Sequence, residues 1–271
     1  MSDQYAVIGN PVKHSLSPQI HAAFASETGE DVVYERLLGD MEDFNGDVRD
    51  FFSRGGCGLN VTVPFKQKAW ELVDELSERA QLAGAVNTIT RRDNGKLHGD
   101  NTDGVGLVRD LQQNHGFDFS KASLLLLGAG GASRGVILPL LQQQPASLVI
   151  ANRTAGKAVS LADLFSGQGN VSGCGLHEIA EQQFDLIINA TAAGLAGDVP
   201  AIPDTCLVSG GWVYDMMYGK QPTAFVRWGE AHNAGQTLDG TGMLVEQAAE
   251  SFFIWRGVHP HTAAVIQQIG S

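Results

Sequence analysis

Ser123-Leu124-Leu125-Leu126-Leu127-Gly128-Ala129-Gly130-Gly131-Ala132-Ser133-Arg134-Gly135 decides the reading of the fold. The leucine run shows no alternation, so the strand is apolar on both faces, as strands are in a parallel sheet covered by helices. A glycine-rich turn follows at once and opens a helix. In that order the backbone N–H groups at the helix N-terminus form a resting place for a dinucleotide pyrophosphate. Gly128 makes the turn, and Gly130 lets the backbone approach the phosphates. Ser133 occupies the third place of the G-x-G-x-x-G pattern, so the fingerprint is a variant. A plain tight turn is the other reading of such a loop. Pro139, inside the apparent helix, is expected to kink or end it.

Working outward, Leu148-Val149-Ile150 and Leu186-Ile187-Ile188 are two more uniformly apolar runs. The first ends in Asn152-Arg153-Thr154, with Lys157 one turn on. A fold that binds NAD places an acid near this point to hold the ribose 2′-hydroxyl. Asn152, Arg153 and Lys157 instead offer donors suited to a 2′-phosphate, which favours NADP. A strand end capped by solvated polar groups is the alternative.

The block before this has a different rhythm. Tyr5 to Ile8 reads as a strand. A helix begins near Ser17-Pro18, with Ser17 as its cap and Pro18 at its first position, and stops at Gly29. Leu59, Val61 and Val63 point inward along the next strand, with Asn60 and Thr62 outward. Phe65, Ala69, Leu72, Val73 and Leu76 trace one face of the following helix. Asp93-Asn94-Gly95 marks a hairpin turn. The change of rhythm falls near residue 104, and Gly242 to Arg256 reads as a last helix that fits either half. The chain is an α/β protein.

The 271 residues carry 18 Lys+Arg against 30 Asp+Glu, a net charge of −12 that argues against non-specific nucleic-acid or membrane-surface binding. Cys57, Cys174 and Cys206 are odd in number and widely spaced, which suits neither a disulfide framework nor a zinc site. No metal is expected. No signal-peptide pattern or membrane-length apolar stretch is seen, and a cytoplasmic location is expected.

Several polar residues of the first block have two readings each. Ser15, beside Ser17, has no capping duty, and the two hydroxyls could together hold a carboxylate. Lys66 stands in a first helical turn, where the dipole disfavours a cation. It is either a tolerated surface lysine or one placed to exchange a proton. Asp103 is either an N-cap or a functional acid, and Asn87 either a turn residue or a ligand.

Taken in order, these segments resemble shikimate dehydrogenases: Gly9-Asn10-Pro11 with Ser15-Leu16-Ser17-Pro18, Asn60-Val61-Thr62-Val63-Pro64-Phe65-Lys66, Gly84-Ala85-Val86-Asn87-Thr88, and Gly99-Asp100-Asn101-Thr102-Asp103-Gly104. The glycine loop, Asn152-Arg153-Thr154, Tyr214-Asp215-Met216-Met217-Tyr218, and Gly240-Thr241-Gly242-Met243-Leu244 with Gln247 continue the match. The resemblance implies reversible NADPH-dependent reduction of 3-dehydroshikimate to shikimate, on the route to chorismate and the aromatic amino acids. It implies two α/β domains: residues 1–104 for substrate and catalysis, and a Rossmann-like NADP-binding domain over 105–239. Helices over 240–271 return to the substrate side. Substrate groups carry over onto Ser15, Ser17, Thr62, Lys66, Asn87, Asp103, Tyr218 and Gln247, with Lys66 and Asp103 catalytic. NADP groups carry over onto Gly128 to Ala132, Asn152, Arg153, Thr154, Lys157, Met216, Gly240 and Glu78. A monomer or homodimer acting on a small molecule is expected, and an NAD-using quinate/shikimate dehydrogenase is the nearest rival.

Overall fold

The computed structural model describes residues 2–179, 181–191 and 197–270. The chain runs β1 (Asp3–Gly9), α1 (Ser17–Thr28), β2 (Val32–Leu38), α2 (Phe44–Ser53), β3 (Gly56–Val61), α3 (Lys66–Leu72), β4 (Glu75–Leu76), α4 (Glu78–Ala83), β5 (Thr88–Arg91), β6 (Leu97–Asp100) and α5 (Asp103–Arg109). It continues through a π-helical turn at Asp110–Asn114 into β7 (Ser123–Leu127), α6 (Gly131–Gln142), β8 (Ser147–Asn152), α7 (Ala155–Leu164), β9 (Val171–Gly175), β10 (Phe184–Asn189), β11 (Leu207–Asp215), α8 (Ala224–Ala231) and β12 (Gln236–Leu238). It ends with α9 (Thr241–Arg256) and α10 (Ala263–Ile269). Two compact units result: Met1–Gly106 with Leu244–Ser271, and Leu107–Met243.

The first unit holds a six-stranded sheet in the order β2-β1-β3-β5-β6-β4. β1 pairs in parallel with β2 and β3, whereas β5 runs antiparallel to both β3 and β6. The β5–β6 hairpin turns through Gly95, at φ +81. Ala6, Ile8, Leu59 and Val61 bury one face against Phe44, Val48 and Phe51 of α2 and against Phe65. A second cluster joins Ile20 and Phe24 of α1 to Val245, Ala248 and Phe252 of α9, which fixes the last helix in this unit. Each fully buried Phe here contributes roughly 1.5–3 kcal/mol of burial free energy.

The second unit holds a six-stranded parallel sheet in the order β12-β11-β10-β7-β8-β9. The strand order reverses between β7 and β10, so their C-terminal ends form the crevice where such sheets bind ligands. The uniformly apolar Leu124 to Leu127 are fully buried, as a strand covered on both faces requires.

Several local readings change. Ser17 and Pro18 are the first two helical residues of α1, with Leu16 at the cap and no side-chain capping bond. Gly29, at φ +74, does end that helix. β3 stops at Val61, and Val63 is 67% exposed rather than inward. Asn60 is buried instead of outward, because α9 covers that face and supplies it a hydrogen-bond partner. α3 ends at Leu72, since Val73 turns extended and Leu76 joins β4. Both still pack on the same core. Pro139 does not end α6, which runs on to Gln142. Among the described residues no helix is long and apolar enough to cross a membrane.

Candidate active site

Lys66 opens α3 where β3 has delivered the chain, and Asp103 opens α5 directly after β6. Their side chains meet, with Nζ donating to Oδ2 at 2.6 Å. The lysine side chain keeps 26% exposure and the aspartate 10%, so the pair is shielded yet reachable by a small molecule. Asn87 Nδ2 donates to the other carboxylate oxygen at 2.8 Å and lies 3.4 Å from Gln247 Oε1. Asp103 is therefore no simple N-cap. Its own N–H is taken by Asn101 Oδ1, at 3.2 Å. Four of the residues carried over from the sequence thus form one cluster.

Ser15 and Ser17 form a second group. Ser15 Oγ donates to Ser17 Oγ at 3.2 Å and accepts from the Ser17 N–H at 3.3 Å, so it has a local duty after all. Arg36 holds the Ser15 carbonyl through Nε and Nη2. Beside them the Tyr34 hydroxyl donates to Asn60 Oδ1 at 2.7 Å. Thr62 follows β3, its N–H bonded to the Ile8 carbonyl of β1.

Sequence reasoning missed the support beneath these groups. Arg79 of α4 grips Asp100 through Nε and Nη2 at 2.6 and 2.8 Å, and reaches Glu250 of α9 at 3.1 Å. Ser77 Oγ and the Asn101 N–H also donate to Asp100. Burial alone would raise the Asp100 carboxyl, but Arg79, Ser77 and Asn101 together hold it below the usual carboxylate range. This cluster fastens the elements that carry Asp103 and Gln247. A lone Arg in a polar helical stretch gave no sign of it. A carboxylate with a depressed folded pKa adds stability above its unfolded pKa, and the gain is lost as pH falls through the folded value. Thermal midpoints should thus fall on acidification below about pH 4. Arg79→Met should cost about 3–5 kcal/mol at neutral pH, because it leaves buried carboxylates without their partner. An unchanged neutral midpoint in that variant would contradict this assignment.

In the second unit, Gly128 takes φ +105 as it leaves β7, a conformation that favours glycine. Ser133 is buried with its hydroxyl against the Gly128 position, so a small side chain serves in the third glycine's place. Among the described residues, a side chain built on Gly130 or Gly131 would meet nothing within 4 Å. Open space thus faces the N-terminus of α6 at the sheet's switch point, as a pyrophosphate requires. Asn152 ends β8 and Thr154 precedes α7, while Arg153, Thr154 and Lys157 are all exposed. Asp215 Oδ1 accepts from Asn189 Nδ2 and the Met217 N–H, each at 3.1 Å, which fixes the turn bearing Met216 and Tyr218. A Cβ on Gly240 would lie 2.4 Å from the Met216 carbonyl oxygen, so only glycine fits there. Glu78 stands apart from this set, at the exposed start of α4 in the first unit. Among the described residues no group of three or more His, Cys, Asp or Glu could hold a metal.

A glycine-rich turn at the switch point of one unit and a Lys66–Asp103 ion pair in the other suit a nicotinamide-dependent oxidoreductase. Comparison with known proteins narrows the class. Three family models match: shikimate dehydrogenase substrate binding domain over residues 7–89, shikimate/quinate 5-dehydrogenase over 110–196, and shikimate 5′-dehydrogenase C-terminal domain over 240–269. The NADP(+) shikimate dehydrogenase of Alkalilimnicola ehrlichii is 54% identical over 266 residues, 98% of each chain. Among solved structures, an Ael1 enzyme from Pseudomonas putida aligns with TM-score 0.93 at 44% identity, covering 100% of this chain and 99% of that one. The shikimate 5-dehydrogenase of Thermus thermophilus, in complex with NADP(H) and shikimate, aligns with TM-score 0.86 at 31% identity, covering 98% of each. The chain belongs to the shikimate dehydrogenase family. The family and the NADP-dependent class read from the sequence motifs agree with these matches.

Proposed function

We propose that the protein reduces 3-dehydroshikimate reversibly to shikimate with NADPH, a step toward chorismate and the aromatic amino acids. The 2.6 Å bond between Lys66 Nζ and Asp103 Oδ2 carries this reading. Bound NADPH supplies the hydride that reduces the carbonyl carbon. The developing alkoxide then needs a proton, and Lys66 Nζ donates it. In the reverse direction the neutral amine takes the proton back. Asp103 holds the ammonium in place and accepts from a substrate hydroxyl. Asn87 and Gln247 supply amide groups beside it, and Thr62 and Tyr218 supply further hydroxyls. Ser15 and Ser17 donate to the substrate carboxylate. Gly128 to Ala132 and the N-terminus of α6 would hold the pyrophosphate, and Met216 and Gly240 would complete the cofactor site. Glu78, in the first unit, would add one carboxylate acceptor for the cofactor. Mole-for-mole loss of NADPH and 3-dehydroshikimate tests the stoichiometry. Ketone consumption without NADPH oxidation would contradict it.

The 2′-phosphate falls to Asn152, Arg153, Thr154 and Lys157. Arg153→Asp should lower kcat/KM for NADPH by about 10²-fold, as loss of a charge-assisted hydrogen bond plus new repulsion implies. The value for NADH should stay level or rise. Equal losses with both cofactors would remove the assignment. Three unpaired cysteines suit the cytoplasmic location that this function entails, as a monomer or homodimer.

A further inference from the structure

A one-way run of hydrogen bonds lies beneath the Lys66–Asp103 pair. Asn60 Nδ2 faces the Asn87 carbonyl at 3.1 Å, Thr88 Oγ1 at 3.2 Å and Ser251 Oγ at 3.0 Å. A carbonyl only accepts, so the NH2 group of Asn60 must point there and Oδ1 must face Tyr34, whose hydroxyl donates to it. Thr88 Oγ1 receives from Asn60, which directs its own hydrogen to Asn87 Oδ1 at 2.8 Å. Ser251 Oγ, 2.8 Å from Thr88 Oγ1, has the Gln247 carbonyl as its acceptor at 3.1 Å. The Thr102 N–H also donates to Asn87 Oδ1, at 2.9 Å. Asn87 therefore presents Nδ2 to Asp103. Thr88 is fully buried and Asn60 and Asn87 nearly so, and no step of the proposed reaction uses Thr88.

We propose that Thr88 is a positioning residue of the reaction: acting through the Asn87 amide, its hydroxyl holds the Asp103 carboxylate against Lys66. The inference rests on the acid–base reading of Lys66 and Asp103. Without the Thr88 hydroxyl, Asn87 Oδ1 keeps the Thr102 donors but loses the shortest of its three hydrogen bonds, which loosens the amide that aims Nδ2 at the carboxylate. Thr88→Val keeps the side-chain shape and removes the hydroxyl, while Thr88→Ser keeps the hydroxyl.

Steady-state kinetics of shikimate oxidation by the full chain test it. Thr88→Val should lower kcat about tenfold, with KM for NADP within about twofold of wild type. Thr88→Ser should restore at least about half of kcat. On an Asp103→Asn background the same Thr88→Val change should cost less than about twofold, because its route to the reaction is gone. A wild-type kcat in Thr88→Val, no rescue by serine, or the full tenfold loss on the Asp103→Asn background would overturn the role. Should Thr88→Val not fold, Tyr34→Phe removes one hydroxyl at the far end of the run. It should lower kcat about threefold, again only while Asp103 is present, and a folded variant with unchanged kcat would overturn the proposal. Wild-type turnover in Asp103→Asn alone would instead sink the acid–base reading and this inference with it.

Discussion

Lys66→Ala is expected to lower kcat about 10²–10⁴-fold while leaving NADP affinity near normal, the range that general acid–base catalysis supplies. The substitution removes the ammonium that contacts Asp103 and changes nothing in the glycine loop, which lies in the other unit. Fold should survive, because the cap of α3 uses no side-chain bond and the Asp103 carboxylate keeps the Asn87 amide as a donor. NADP binding, followed by fluorescence titration, and turnover, followed by cofactor absorbance, separate the two effects. Wild-type-like turnover would end the acid–base role. A loss confined to KM for shikimate would make Lys66 a binding group only, since an interaction made equally in ground and transition states lowers KM without raising kcat.

Asp103→Asn should act through the same pair. The amide keeps the size and one acceptor but removes the charge that holds Lys66, so kcat should fall about 10²-fold. The buried neighbours Asn87 and Thr102 would still pack against the amide. Because Lys66 and Asp103 work as a unit, the double variant should be little slower than Lys66→Ala alone. Losses that multiply in the double variant would show two independent roles and contradict the pair.

The second unit was legible in the sequence for a simple reason. Leu124 to Leu127, Leu148 to Ile150 and Leu186 to Ile188 are local patterns, and a parallel sheet writes them as uninterrupted apolar runs. The Gly128 loop is likewise a local device, readable because its chemistry is backbone chemistry. The first unit was less legible. Asn60 looked outward-facing, yet α9 lies over that face from nearly the other end of the sequence. Val63 looked like a core residue, but β3 had already ended at Val61. Ser15 and Asp103 each had two readings until partners distant in sequence were visible: Arg36 for the Ser15 carbonyl, and Lys66 and Asn87 for the carboxylate. The contacts of Arg79 with Asp100 and Glu250 went unread, because a buried ion pair has no periodicity and no motif. What resemblance supplied was the identity of the polar set, and what the structure adds is the reason those side chains point where they do.

Mixing the purified chain with shikimate and NADP, and separately with quinate and NAD, and following the absorbance of reduced nicotinamide tests the central claim most directly. The account predicts reduced cofactor in the first mixture and little in the second. Rapid reduction of NAD by quinate, with NADP and shikimate inert, would contradict it.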